Sequence, residues 1–250
     1  MKIKAKIYGL VGRNISYSFS AGYFNKKFAE KEKLKNCVYT NFDIKDIGEL
    51  PEIIKATPKL KGMNVTIPYK EEVIPLLDSL SNTARIIGAV NTIKISKDGK
   101  LKGYNTDHYG FRKALEPLLN TDHTKALILG TGGASKAVAY ALRKMKIEYD
   151  FVSRNGDETI FSYEDLDNEI FSEYTIIINT TPLGTFPGIE SCPALDYTLF
   201  TKRHIAFDLV YNPTVTKFLR LAKENGATTE NGYAMLVFQA EKAWKIWNEK

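Results

Sequence analysis

The strongest constraint on the fold is a glycine-rich turn placed between a buried strand and a helix. Residues 125 to 130, KALILG, form a short apolar run typical of a strand that is buried on both faces. The turn GTGGAS (130 to 135) follows, and a helical pattern continues from 135 to 145. Further strands are predicted at 149 to 153, 175 to 179 and 204 to 210. Strands that alternate with helices predict a doubly wound α/β domain with a parallel sheet.

The first part of the chain shows the same alternation. Strands are predicted at 3 to 9, 37 to 42 and 63 to 67, and helices at 21 to 34 and 46 to 56. The runs 89 to 96 and 101 to 105 flank Asp98-Gly99 and predict a hairpin. Because the βα pattern then begins again, we expect a second α/β domain from about residue 106. The last segment, YAMLVFQAEKAWKIW, predicts an amphipathic helix with Leu236, Ala240, Ala243, Trp244 and Trp247 on its apolar face.

Composition limits the classes of protein that fit this chain. Its 250 residues, 44% of them hydrophobic, are enough to bury a substantial core. The net charge of +6 favours anionic partners, but the basic residues are dispersed and form no stripe with interleaved aromatics, so nucleic-acid binding is not favoured. Cys37 and Cys192 are far apart, which suggests neither a disulfide framework nor a metal site. With no signal peptide or membrane span in the pattern, we expect a cytoplasmic protein.

The glycine turn has two interpretations. It can be a plain tight turn, or it can bring a pyrophosphate close to the backbone N–H groups at a helix N-terminus, although Ser135 stands where the strict fingerprint has a third glycine. Arg154 ends the next strand, about 20 residues after the glycines, where ribose selectivity is set. An arginine there suits a 2′-phosphate, so the sequence favours NADP(H) over NAD(H).

Lys70 stands out in the stretch GMNVTIPYKEE (62 to 72). Asn64 and Thr66 alternate with apolar residues as in a strand, and Pro68 then predicts the start of a helix. Lys70 would lie in the first turn of that helix, where the macrodipole disfavours a cation. Either it is a solvated lysine whose unfavourable interaction with the helix dipole is offset by neighbouring glutamates, or it has a function that requires a lysine at this position.

A series of motifs runs in one order through nearly the whole chain: YSFS (17 to 20), MNVTIPYKEE (63 to 72), GAVNTI (88 to 93), YNTDHYG (104 to 110), LGTGGASKA (129 to 137), VSRN (152 to 155), INTTPLG (178 to 184), FDLVYNP (207 to 213) and NGYAMLVFQAEKAW (231 to 244). This ordered set closely resembles the shikimate dehydrogenase family. The resemblance implies reversible, NADPH-dependent reduction of 3-dehydroshikimate to shikimate, a step of aromatic amino acid biosynthesis. It also implies a substrate-binding domain formed by 1 to 105 and 231 to 250, with a Rossmann-like NADP-binding domain at 106 to 230 and the C-terminal helix returning to the first domain.

The resemblance also assigns roles to individual residues. Lys70 and Asp107 are the implied catalytic pair. The implied substrate-binding residues are Ser18, Ser20, Asn64, Thr66, Asn91, Asp107, Tyr211 and Gln239. The implied cofactor-binding residues are Gly130, Gly132, Gly133, Ala134, Ser153, Arg154, Asn155, Thr180, Leu209, Gly232 and Met235. Purely structural roles are the alternatives for three of them: Ser20 as a helix cap, Asn91 in a strand turn, and Asp107 as the N-cap of a helix at 108 to 119.

Departures from the family pattern leave alternatives open. Phe19 stands where family members have a polar or basic residue between the two serines. Ala21 replaces the proline that follows the second serine, and no second basic residue lies close after Asn155. The alternatives are a quinate/shikimate dehydrogenase with relaxed cofactor use and a non-catalytic protein that binds NADP or a metabolite. The expected partners are small molecules only, with no nucleic acid and no membrane, and the expected state is a monomer or homodimer.

Overall fold

The computed structural model describes residues 5–16 and 18–249, which form two compact units. One unit comprises the described residues up to Thr106 and from Ala240 onward, and the other runs from Asp107 to Gln239. The elements of the first unit are β1 (Lys6–Gly12), α1 (Phe19–Glu30), β2 (Cys37–Asp43), α2 (Leu50–Ala56), β3 (Leu60–Val65), β4 (Ser79–Leu80), α3 (Asn82–Ile87), β5 (Thr92–Ile95) and β6 (Leu101–Tyr104).

The first unit is built on a mixed sheet with strand order β2-β1-β3-β5-β6-β4. β1 pairs in parallel with β2 and β3, whereas β5 runs antiparallel to β3 and β6. The β5-β6 pair confirms the predicted hairpin. Residues 1–4, which include the start of the predicted strand 3 to 9, lie outside the described residues, and the described strand continues to Gly12.

The remaining strands and helices belong to the second unit, except that the last helix continues past Gln239 into the first unit. They are α4 (Asp107–Leu115), β7 (Lys125–Leu129), α5 (Gly133–Lys144), β8 (Glu148–Ser153), β9 (Phe161–Ser162), α6 (Asn168–Glu173), β10 (Ile176–Asn179), β11 (Ile205–Asp208), α7 (Lys217–Glu224), β12 (Thr228–Glu230) and α8 (Tyr233–Asn248). The sheet of the second unit is parallel throughout, with order β12-β11-β10-β7-β8-β9. This confirms the predicted doubly wound, Rossmann-like sheet.

The strands at the centre of this sheet are apolar on both faces because helices cover both sides. Ala126 and Ile128 of β7 belong to the core cluster that also contains residues of α4 and α5. Leu127 and Leu129 alternate with them and belong to the opposite cluster, with residues of α6 and α7. The period of two along a strand therefore divides one apolar run between two cores.

The amphipathic C-terminal helix is confirmed as α8, and the boundary between the units falls within it at Ala240. In the first unit Ala240, Ala243 and Trp247 are buried in one core cluster with aromatic residues of α1, β1 and β2. Trp247 donates from Nε1 to the carbonyl oxygen of Ile93 at 2.9 Å. A Cβ added at Gly62 would lie 2.2 Å from Trp247 Cδ1, so the indole requires a glycine on β3.

The described residues contain neither a membrane-spanning helix nor a metal-binding cluster. No helix there combines the length and the apolar character needed to span a bilayer. In the same part of the chain no three His, Cys, Asp or Glu side chains are grouped so that they could hold a metal ion. Both cysteines are free thiols.

Candidate active site

The glycine turn connects β7 to the N-terminus of α5, with Gly132 at the N-cap position. Gly130 has a φ of 102°, which favours glycine, and a Cβ there would lie 3.0 Å from Thr181 Cγ2. A Cβ at Gly132 would meet nothing within 4 Å, so the space in front of the helix N-terminus is open to a ligand. The turn therefore meets the steric requirement for binding a pyrophosphate group.

Ser135 replaces the third glycine of the strict fingerprint without disturbing this turn. Its side chain is fully buried, and its hydroxyl donates to the carbonyl oxygen of Gly132 at 2.6 Å. A buried hydroxyl needs such a partner. The departure from the fingerprint is thus explained by a local hydrogen bond.

A cavity of about 640 Å³ lies at the carboxyl ends of β7, β8 and β10 in the second unit. The cavity is lined by Gly130 of the glycine turn and by Ser153, Arg154 and Asn155 at the end of β8, among others. Ligands of open α/β sheets bind at this edge. The structure thus brings together residues that the sequence analysis assigned to the pyrophosphate and to the adenosine phosphate.

Tyr163 and Cys192 also line this cavity, and the sequence analysis missed both. Burial raises the pKa of Tyr163, and the charge of Arg154 partly opposes that rise. Tyr163 follows β9, a two-residue strand that extends the sheet beside β8. No periodicity in the sequence distinguishes so short a strand from a loop, so nothing in the pattern could have placed Tyr163 here.

The residues implied for the nicotinamide end lie on three segments of the second unit. Thr180 follows β10 and donates from its hydroxyl to the carbonyl oxygen of Leu129 at 2.7 Å. Gly232 lies against Leu209, where an added Cβ would be 2.1 Å from the Leu209 carbonyl oxygen. Met235 is buried in the core cluster around α4 and α5. Only a glycine fits at 232, because any side chain would collide with backbone.

Lys70 does not lie in a helix, so the predicted helix start at Pro68 is wrong. Residues 67 to 73 form successive turns, the Ile67-Pro68 peptide is cis, and a short 3₁₀ turn follows at Ile74–Leu76. The Lys70 carbonyl oxygen accepts from the backbone N–H of Val90 at 2.7 Å instead of from a residue one helical turn ahead. A contact with a distant segment therefore determines the local backbone, and no helix macrodipole acts on the half-buried Lys70.

Tyr69 anchors the same turn from the other side. Its ring is fully buried, and its hydroxyl donates to the carbonyl oxygen of Ile44 at 2.9 Å. Arg13 donates to the Tyr69 hydroxyl at 3.2 Å and lies over its ring. The Lys70 backbone is consequently held from both sides.

The serine pair lies at the start of α1, and the structure reverses the expected capping role. Ser18 is the N-cap and its hydroxyl accepts from the Ser20 backbone N–H at 3.2 Å, whereas Ser20 lies inside the helix. The alternative that Ser20 caps the helix is therefore wrong. Tyr17 of the same motif lies outside the described residues.

Asn64 and Asn91 are both buried and belong to one hydrogen-bonded network in the first unit. Asn64 Nδ2 donates to the Asn91 carbonyl oxygen at 3.1 Å, and Asn91 Nδ2 donates to the hydroxyl of Thr106 at 3.0 Å. Thr66 is half-buried just after β3. Three predicted substrate residues thus lie on or beside adjacent strands, since β3 pairs with β5.

Asp107, Tyr211 and Gln239 belong to the second unit. Asp107 is buried and is the first residue of α4, rather than the cap before it. Tyr211 is half-buried in the loop after β11. Gln239 is buried on α8 and donates from Nε2 to the Leu236 carbonyl oxygen at 3.0 Å. A Cβ at Gly110 would lie 2.4 Å from the Met235 carbonyl oxygen, so the glycine lets α4 approach α8 closely.

Comparisons with known proteins decide the family. The model of the shikimate dehydrogenase substrate binding domain matches residues 10–93. The NADP(+) shikimate dehydrogenase of Clostridium perfringens (strain ATCC 13124) is 41% identical over 97% of this chain and 92% of its own length. This chain belongs to the shikimate dehydrogenase family.

Solved structures agree with the family assignment. Shikimate 5-dehydrogenase from Thermus thermophilus, solved in complex with NADP(H) and shikimate, is 31% identical with a TM-score of 0.84, covering 97% of this chain and 93% of that one. Quinate dehydrogenase from Corynebacterium glutamicum, solved in complex with NAD, is 27% identical with a TM-score of 0.86, covering 98% and 94%. The fold is thus shared between relatives that differ in name and in bound cofactor.

One buried carboxylate of this shikimate dehydrogenase family member was not expected from the sequence. Asp208, at the end of β11, is fully buried and accepts from Asn179 Nδ2 at 3.0 Å, the Val210 N–H at 3.0 Å and the Thr216 hydroxyl at 2.6 Å. Burial raises its pKa to about 6, while these three hydrogen bonds oppose the rise. Asp208 joins the ends of two strands to the N-cap of α7. The sequence shows this aspartate within the motif FDLVYNP, but no spacing rule identifies the residues that hydrogen-bond to it.

Proposed function

We propose that this chain catalyses the reversible, NADPH-dependent reduction of 3-dehydroshikimate to shikimate. The observation that carries the proposal is the cavity at the carboxyl edge of the parallel sheet, lined by both the glycine turn and Arg154, in a chain that matches NADP(+)-named relatives over nearly its whole length. We propose that the second unit binds the cofactor and the first unit most of the substrate.

The residues present fit NADP(H). Gly132 leaves open space before the N-terminus of α5, where backbone N–H groups and the macrodipole favour a pyrophosphate. Gly130 of the turn and Gly133 and Ala134 in the first turn of α5 are proposed to bind the same group. Arg154 offers a guanidinium to the 2′-phosphate, with Ser153 and Asn155 beside it. Thr180, Leu209, Gly232 and Met235 are proposed for the nicotinamide end. When bound, NADPH supplies the hydride.

The substrate is proposed to bind through hydroxyl, amide and carboxylate groups. Ser18 and Ser20 at the start of α1 are assigned to its carboxylate, with Tyr211. The ring hydroxyls are assigned to Asn64, Thr66, Asn91, Asp107 and Gln239. Polar groups of this kind reject analogues that lack a hydroxyl, because buried polar groups would then be left unpaired.

Lys70 is proposed to act on the reacting carbonyl oxygen of 3-dehydroshikimate. As negative charge builds on that oxygen, the Lys70 ammonium stabilises the charge and donates the proton. Asp107 is proposed to hold the lysine and to hydrogen-bond a substrate hydroxyl. Binding oriented by these groups lowers the entropic cost of reaching the reactive geometry.

A cofactor and substrate exchange assay tests this function. Purified protein is incubated with 3-dehydroshikimate and NADPH, and the loss of NADPH absorbance is followed; NADH then replaces NADPH, and the reverse reaction is run with shikimate or quinate. We expect turnover with the NADPH and shikimate pair and a lower kcat/KM with NADH. An inactive protein that still binds NADPH would support the non-catalytic alternative.

The quinate/shikimate alternative makes a different prediction for the same assay. It rests on the likeness to a quinate dehydrogenase solved with NAD and on the lack of a second basic residue after Arg154. Comparable kcat/KM values for quinate with NAD+ and for shikimate with NADP+ would favour it.

We further propose a cytoplasmic monomer or homodimer with small-molecule partners, and light scattering in solution distinguishes the two states.

A further inference from the structure

Tyr39 has a buried hydroxyl that is hydrogen-bonded to a proposed substrate residue. It lies on β2 with 2% of its surface exposed, and its ring stacks on Phe24 with centroids 4.7 Å apart. The Tyr39 hydroxyl donates to Asn64 Oδ1 at 2.8 Å. Burial raises the Tyr39 pKa well above its usual range, while a hydrogen bond with the Ser20 side chain lowers it. The phenol therefore stays neutral, and its hydroxyl links β2 to β3.

The amide of Asn64 is held in one orientation by this environment. Its Nδ2 donates to the Asn91 carbonyl oxygen at 3.1 Å and to the Thr92 hydroxyl at 3.2 Å. Tyr39 supplies the donor that Oδ1 needs. A flipped amide would set two acceptors, Oδ1 and the Asn91 carbonyl oxygen, against each other, which is costly for a residue that is 4% exposed.

The network continues from Asn64 into a second proposed substrate residue. Thr92 donates from its hydroxyl to Asn91 Oδ1 at 3.1 Å, and the Thr106 backbone N–H donates to the same oxygen at 2.7 Å. Buried networks of this kind are rigid when every member has a partner. Tyr39 lies at one end of the network, where its ring stacks on Phe24 of α1.

We propose that Tyr39 is a positioning residue that holds Asn64 in the arrangement that binds the substrate. This inference rests on the proposed function. Tyr39 is assigned no contact with the substrate; it acts through the Asn64 side chain, to which its hydroxyl donates. Without that hydroxyl, Asn64 Oδ1 loses its donor.

Tyr8 provides a matched control on the neighbouring strand. Tyr8 and Tyr39 are direct partners in the β1-β2 ladder, and both are 2% exposed in the same core cluster. Burial raises the pKa of Tyr8 to about 12 and the Asn248 side chain opposes that rise, and Asn248 has no proposed role in substrate binding. Tyr8→Phe and Tyr39→Phe therefore each delete one buried hydroxyl from the same face of the same sheet.

Steady-state kinetics with shikimate and NADP+ tests the role. Loss of one neutral hydrogen bond corresponds to about a 3- to 10-fold change, so Tyr39→Phe should raise KM for shikimate by about that factor and leave KM for NADP+ unchanged. Tyr8→Phe should change neither value. Equal shikimate KM values in the two variants would overturn the proposal, and an inactive wild-type protein would contradict the proposed function instead.

A double-mutant cycle separates positioning from general loss of stability. Once Asn64→Ala has removed the amide, adding Tyr39→Phe should raise KM little further, because coupled residues are not additive. Full additivity of the two effects would overturn the proposal. If Tyr39→Phe does not fold, hydrogen exchange of the Asn64 side-chain amide in the wild-type protein decides: slow exchange supports a fixed amide, and exchange as fast as that of an exposed asparagine contradicts it.

Discussion

Lys70 illustrates how a single side chain can be placed by contacts that its own sequence does not show. Its backbone is held by the Val90 N–H and by the buried ring of Tyr69. We expect Lys70→Met to lower kcat by ~10² to 10⁴, the usual contribution of a general acid. KM should change much less, since the lysine's contact strengthens in the transition state. Stopped-flow or steady-state assays with saturating NADPH measure both values.

An exposed lysine supplies the control for this prediction. The Lys26 side chain is 78% exposed and lies 3.9 Å from Glu30 on α1. Lys26→Ala should leave kcat and KM unchanged, because a surface ion pair contributes little. If Lys70→Met kept a kcat near that of Lys26→Ala, Lys70 would have no role in proton transfer.

Arg154 is expected to determine cofactor preference from its place in the cavity wall. A charge-assisted hydrogen bond contributes roughly 1.5 to 3 kcal/mol. Arg154→Ala should therefore raise KM for NADPH by about 10- to 100-fold while KM for NADH changes little. The measurement is KM for both cofactors in the wild-type and variant proteins.

Arg220 is the matched control for Arg154. It lies on α7 and pairs with Glu224 at 3.1 Å, and it does not line the cavity. Arg220→Ala should keep the wild-type preference for NADPH. A wild-type protein with equal KM values for the two cofactors would refute the role assigned to Arg154.

At the scale of one element, the start of α1 combines capping with proposed substrate binding. Ser18 caps the helix, so Ser18→Ala should lower the free energy of unfolding by about 1 kcal/mol and also raise KM for shikimate. Ser20→Ala should raise KM without a comparable loss of stability, because its hydroxyl does not cap the helix. Tryptophan fluorescence during urea unfolding reports this unit, since Trp244 and Trp247 both belong to it. Equal losses of stability would contradict the distinction.

Substitution by alanine at two glycines of the first unit should change the free energy of unfolding in opposite directions. At Gly62 an added Cβ would lie 2.2 Å from the Trp247 ring, so Gly62→Ala should destabilise the unit by about 1 to 3 kcal/mol. At Gly22, exposed within α1, a Cβ would meet nothing within 4 Å. Gly22→Ala should stabilise by about 0.5 to 1 kcal/mol, because alanine favours a helix. The urea midpoint of each variant, compared with that of the wild-type protein, shows whether the substitution stabilises or destabilises the unit.

The elements that sequence could predict are those whose pattern is local. The strand KALIL, the glycine turn, the hairpin around Asp98-Gly99 and the helix carrying Trp247 all follow from periodicity or turn chemistry, and all are confirmed. The turn around Lys70 could not be predicted in this way. Its backbone depends on Val90, and Pro68 alone is an equally good start for a helix.

At the scale of the whole molecule, the two α/β units could be predicted from the repeated alternation of strands and helices. The order of strands in each sheet could not, because pairing joins segments distant in sequence, such as β10 with β7. The candidate site came from the ordered motifs and their family resemblance. Tyr39 and Tyr163 carried no such signal, since buried aromatic residues are most often only part of a core.

Asp208 should impose a pH dependence on the stability of the folded chain. It is fully buried, and burial raises its pKa to about 6 from an ordinary value of 3.8. Between about pH 4 and about pH 6 the folded chain keeps a proton that the unfolded chain has released, so this carboxyl's contribution to the free energy of unfolding falls as the pH rises. A difference of about two pKa units corresponds to roughly 3 kcal/mol.

The variant Asp208→Asn isolates this contribution because an amide does not titrate. The free energy of unfolding of the wild-type protein minus that of the variant should fall by roughly 3 kcal/mol from about pH 4 to about pH 7. Far-UV circular dichroism is the appropriate probe, since both tryptophans belong to the other unit. Asp165→Asn should show the opposite slope, because hydrogen bonds from Ser162 lower the pKa of Asp165 and its stabilising contribution is lost as the pH falls. A difference for Asp208→Asn that stays constant with pH would mean that Asp208 is ionised in the folded chain throughout this range.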